Sequence, residues 1–153
     1  MAMALTNLGI FTTPEQMANY SLDNGCRAAT GTDMVSLIAK IAKDYCLNME
    51  YSNDINKAIE ELNKGGSIVI ANVGGDRKNH VGVFSSGGHY IVLQGTCGAD
   101  LVILDSGYYQ GKYSKLGRSG VTVADKYVLA APNLVDSDCE NRSPRYYILT
   151  KKA

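Results

Sequence analysis

The strongest constraint on the fold is a change of hydrophobic period near Gly65-Gly66. Before it, apolar residues recur three and four positions apart; after it, they come in short β-branched runs. A chain whose helices precede its strands cannot build alternating βαβ units, so it is expected to be α+β with a largely antiparallel sheet. Four helices are expected. "MAMALTNLG" reads as a short helix stopped at Gly9. "TTPEQMANYSLDNG" is the best marked: Thr13 caps it, Pro14 suits its first position and Gln16 completes a capping box. The third starts near Thr32, its expected cap, with Asp33 favoured by the helix dipole. Its stripe of Met34, Leu37, Ile38, Ile41, Ala42 and Tyr45 faces a core. The fourth, capped by Asn53 or Asp54, presents Ile55, Ala58, Ile59 and Leu62. Strands are then expected at 67–73, 89–97, 101–106 and within 144–152, with "GTCGAD" as a tight hairpin and 107–120 as a polar loop.

The 153 residues suit one domain, and no linker or repeat interrupts them. Fifteen basic and fifteen acidic residues cancel, and no basic run stands out, which argues against a nucleic-acid partner. No apolar stretch is long enough to span a membrane, and "MAMALTNLG" lacks the parts of a signal peptide. Cys26, Cys46, Cys97 and Cys139 form no C-x-x-C pair, and with two histidines no zinc spacing arises. Two disulfides or four separate thiols fit the count equally.

Chemistry concentrates on His89, which follows "SSGG" and opens a strand. Asp105 closes the strand expected to pair with it. A hairpin centred near Gly98–Asp100 brings the outer ends of both strands together, so the imidazole and the carboxylate can meet. A carboxylate on one ring nitrogen fixes the tautomer and leaves the other to act as a base. The same residues also suit a packed strand-entry histidine and a turn aspartate. No cysteine offers an obvious nucleophile. Cys97 is on the same strand about 26 Å away at about 3.3 Å per residue. Cys46 ends a helix, where the dipole has the wrong sign, and Cys139 sits among acids in "DSDCEN". Cys26, near Arg27, is the least unfavourable.

"GGHYIVLQG" followed by "VILDS", after a helical half with its T-P-E start, "DNG" turn and "GT" before the third helix, resembles the papain-like cysteine peptidases related to the bacteriocin-leader-processing peptidases of bacteria (peptidase family C thirty-nine, in its C thirty-nine-like branch). The resemblance covers nearly the whole chain, 1–153. It implies a papain-like fold, a Cys-His-Asp centre with His89 as base and Asp105 as its orienting carboxylate, and substrate contacts at Gly88 and Tyr90. It implies a peptide or protein substrate and no cofactor or metal. The chain departs from the family pattern at Ser106, where proline is usual, at Cys46, where the third helix normally ends in glycine, and at Thr30-Gly31, where the glycine is doubled. The family nucleophile opens the first helix in a Cys-Gly-Pro segment. Ala2 to Gly9 match the body of that helix, so the cysteine is expected upstream of Met1 and the chain is read as truncated relative to the family. Peptidase activity is therefore expected to be absent or very weak, and the surface around His89 open or filled by Met1 or a neighbouring chain. A non-catalytic peptide-binding module, lined by His89, Tyr90 and tyrosines of "GYYQGKY", is the competing reading, and acyl transfer on the same fold a third. Many relatives are exported or act at the cell envelope, which leaves localisation open; an exposed groove would favour self-association.

Overall fold

The computed structural model describes residues 1–152 and is α+β, built on a seven-stranded, wholly antiparallel sheet. The chain begins with helices α1 (Ala2–Asn7) and α2 (Pro14–Asp23), the small hairpin β1 (Arg27–Ala28) and β2 (Gly31–Thr32), and helix α3 (Met34–Asp44). Strand β3 (Leu47–Ser52), helix α4 (Ile55–Lys64), and strands β4 (Ser67–Val73), β5 (His89–Cys97) and β6 (Asp100–Leu104) follow. Strands β7 (Val121–Val123) and β8 (Val128–Ala130), helix α5 (Pro132–Cys139) and strand β9 (Tyr146–Lys151) complete it. The sheet order is β3-β9-β4-β5-β6-β8-β7.

Local chemistry explains the helix starts. Thr13 accepts the Gln16 N–H while the Gln16 side chain accepts from the Thr13 N–H, both halves of the expected box. The cap of α3 is Asp33, which accepts the Ser36 N–H, one residue later than the expected Thr32. Asp54 caps α4.

Alternation along the strands sorts the core into two layers. Ile68 and Ile70 of β4, Val92 of β5 and Tyr147 and Leu149 of β9 pack with Leu5, Leu37, Ile38 and Ile41 of α1 and α3. Val69, Ala71, Val73, Ile91, Leu93, Leu101, Ile103 and Ile148 face the other way, against Ala58 and Leu62 of α4 and Val135 of α5. So α1 to α3 cover one face and α4 and α5 the other. The helical half is divided by β3, which was not expected. This edge strand pairs with β9, Leu47 opposite Lys151, and carries the chain around the sheet edge from one face to the other.

Candidate active site

His89 begins β5, where it pairs with Val73 of β4. β5 and β6 form the expected hairpin, with Cys97 opposite Asp100 and a bulge between Leu93 and Gly95. The outer end of β6 therefore returns to the start of β5, and Asp105 follows its last residue. His89 Nε2 lies 2.9 Å from Asp105 Oδ1.

Asp105 is a buried hub. Its side chain has no exposure to solvent. Oδ1 also accepts the Gly107 N–H at 2.8 Å; Oδ2 accepts from Lys112 Nζ at 2.5 Å and from the Tyr113 hydroxyl at 2.6 Å. Burial alone would raise the carboxyl's pKa, but the hydrogen bonds from His89, Lys112, Tyr113 and Gly107 outweigh it and hold the group well below the usual carboxylate range. The phenol of Tyr113 is pushed up, first by burial and then by donating to this carboxylate. Gly107 leaves space for the pair, since a Cβ there would stand 3.2 Å from His89 Nε2 and 3.3 Å from Asp105 Oδ1.

An ionised carboxylate only accepts hydrogen bonds, so Nε2 of a neutral His89 carries the ring proton and Nδ1 is its basic nitrogen. Nδ1 has no hydrogen-bond partner among the described residues. His89 borders an open hollow of about 290 Å³ with Ser85, Ser86, Lys112, Lys115 and Arg118. A histidine held on one side and open on the other can take a proton from, or give one to, a group in that hollow.

The remaining site expectations fall elsewhere. Gly88 is exposed beside Arg142, whose flexible guanidinium would have to shift to admit a Cβ there. Tyr90, half-buried and edge-on to Tyr147, points to the α1 side. It lines a separate hollow with Met1, Ala2, Met3 and Ser106. The start of α1 thus lies beside Tyr90 and Ser106, each one residue beyond a member of the His89–Asp105 pair. None of the four cysteines, all free, lines the His89 hollow. Cys26 is buried under α2 and α3, with its thiol on the Asn24 carbonyl. Cys139 is buried, and burial, reinforced by Asp138 and Asp136, pushes its thiol up to about 12. Cys46 and Cys97 are exposed, Cys97 at the far end of β5.

Sequence reading missed a second imidazole–carboxylate pair. His80 Nε2 lies 2.6 Å from Oδ1 of Asp138, which is fully buried on α5. Asp138 also accepts the N–H groups of Val83 and Phe84, and Arg77 reaches the Ser137 carbonyl and Glu140. Together they fasten the segment between β4 and β5 to α5. Lys112 and Tyr113 were missed as partners of Asp105: a lysine 3% exposed inside a polar loop carries no local signal of its partner.

Among the described residues, no helix is long and apolar enough to cross a membrane, and no three His, Cys, Asp or Glu side chains gather as metal ligands. Comparison with family models, curated proteins and solved structures found no match.

Proposed function

We propose that this is a papain-like, cysteine-peptidase-type domain that binds peptides at the hollow beside His89, with His89 as base and Asp105 as the carboxylate that orients it. The observation that carries this reading is the His89 Nε2 to Asp105 Oδ1 contact at the paired ends of β5 and β6, with Nδ1 left without a hydrogen-bond partner among the described residues and His89 bordering the hollow. The order of "GGHYIVLQG" and "VILDS" supports it. In a cysteine peptidase a thiolate attacks the peptide carbonyl, the imidazolium protonates the leaving amine, and water then hydrolyses the thioester. Here His89 and Asp105 lie in hydrogen-bond contact, while none of the four cysteines lines the hollow. That placement favours peptide binding with little or no turnover by these thiols.

The test compares this chain with a version carrying a Cys-Gly-Pro segment ahead of Met1, using a fluorogenic peptide mixture. The extended form is expected to hydrolyse peptides, to be blocked by iodoacetamide and to lose activity in His89→Gln; the 153-residue chain is expected to show at most traces. Strong hydrolysis by the shorter chain that survives His89→Gln would overturn the assignment of the base. So would activity of the extended form that is indifferent to His89.

A further inference from the structure

The segment that walls the His89 hollow carries charge of one sign only. Between Asp105 and Asp125 the sequence contains Lys112, Lys115 and Arg118 and no acidic residue, in a chain whose total charge is zero. The charge of Lys112 is satisfied by Asp105. Lys115 and Arg118 have no carboxylate within 4.0 Å among the described residues, although both border the hollow, and no acidic side chain lines it. Their placement is built. The Arg118 N–H donates to the Lys115 carbonyl at 3.0 Å, closing a turn. Gly117 within that turn has φ +81° and presses on Val81, where a Cβ would approach to 2.7 Å. The Lys115 ammonium lies 4.9 Å from the centre of the Tyr109 ring. Ser85 and Ser86 also line the hollow and bring hydroxyls to it.

Two cations lining a hollow, with no carboxylate among the described residues to balance them, select a negatively charged occupant. We infer that the His89 hollow recognises a peptide carboxylate, seated between Lys115 and Arg118, so that the preferred ligands present either an Asp or Glu side chain or a free C terminus beside the bond facing His89. This rests on the peptide-binding reading above and narrows it to acidic peptides. The serine hydroxyls can donate to the same group. Lys112 takes no part, because its ammonium is held by Asp105 and Gly107.

The experiment is an NMR titration following the His89 ring and the amides of residues 112–118, with four probes: Ac-Ala-Ala-Glu-NH2, Ac-Ala-Ala-Gln-NH2, Ac-Ala-Ala-Ala-OH and Ac-Ala-Ala-Ala-NH2. The Glu peptide or the free-acid peptide is expected to bind about tenfold to a hundredfold tighter than its neutral counterpart, and the stronger of the two identifies the carboxylate's source. The preference should shrink as salt is raised. The double variant Lys115→Gln with Arg118→Gln should bind all four probes alike, and charge reversal at both positions to Glu should turn the preference toward Ac-Ala-Ala-Lys-NH2. Equal binding of charged and neutral probes by the native chain would overturn the carboxylate inference while leaving the peptide-binding reading intact. Absence of binding by all four would overturn both.

Discussion

The molecule has two histidines, and each places Nε2 against an aspartate whose side chain is fully buried. The pairs look alike, but their surroundings divide them. Asp138 spends its remaining capacity on the backbone, accepting from Val83 and Phe84. The His80–Asp138 pair is therefore a fastener, joining the β4–β5 segment to α5. Asp105 takes its other bonds from Lys112, Tyr113 and Gly107, so its carboxylate and the lysine are locked together beside His89. His89 of that pair borders a hollow. The lesson is that an imidazole–carboxylate contact does not define a site; the other bonds of the carboxylate, and whatever the free ring nitrogen faces, decide its role.

Removing the two aspartates should separate the roles most sharply. Asp105→Ala leaves the Lys112 ammonium buried without its counter-charge and is expected to cost about 3–5 kcal/mol of stability in denaturant titration. Acid reproduces part of this loss. Because the folded carboxyl lies below its ordinary value, its contribution is complete above about pH 4 and fades as the pH falls further. Asp105→Asn should flatten that acid slope. Asp138→Ala is expected to cost somewhat less, about 2–4 kcal/mol, by stranding two backbone N–H groups. It should speed hydrogen exchange at Val83 and Phe84, which Asp105→Ala leaves slow by comparison with global unfolding. If both variants accelerated those amides equally, the division into fastener and site would fail.

The histidines give a finer contrast. His80→Gln should destabilise the fold by about 1–2 kcal/mol and leave the peptide affinity of the hollow unchanged. His89→Gln should cost under about 1 kcal/mol yet reduce turnover of a Cys-Gly-Pro-extended chain by about a hundredfold or more. The smallest effect is expected far from either pair. Cys46 holds φ +53° just after α3, a conformation that glycine adopts freely. Cys46→Gly is expected to raise stability by about 0.5–1 kcal/mol, and a loss instead would show that its exposed thiol makes contacts worth more than the backbone strain.

What could be read from the sequence was what short spacing encodes. The capping box at Thr13, the stripe of α3 and the hairpin that returns Asp105 to His89 all depend on neighbours within a few residues or on one tight turn. The elements missed depend on distant partners. β3, "LNMEYS", is an edge strand with four exposed residues and no apolar run; only its pairing with β9 makes it a strand. α5 reads as an acidic loop until Arg145 and Tyr146 are placed on Asp136 and the β4–β5 segment on Asp138. β7 and β8 are three residues each. The same limit applied to the site: the imidazole and its carboxylate share one hairpin, whereas Lys112 and Tyr113 reach back from a loop whose composition says only that it is polar.

The position of β9 has a consequence for how the molecule is made. This strand occupies the slot between β3 and β4, although it emerges long after both of them from the ribosome. Until it arrives, β3 has no strand partner and β4 has one side of its backbone unpaired, and the apolar ladder of β4 is available to any extended segment nearby. The last lock of the sheet is thus a nonlocal pairing, which slows folding relative to a sheet assembled hairpin by hairpin.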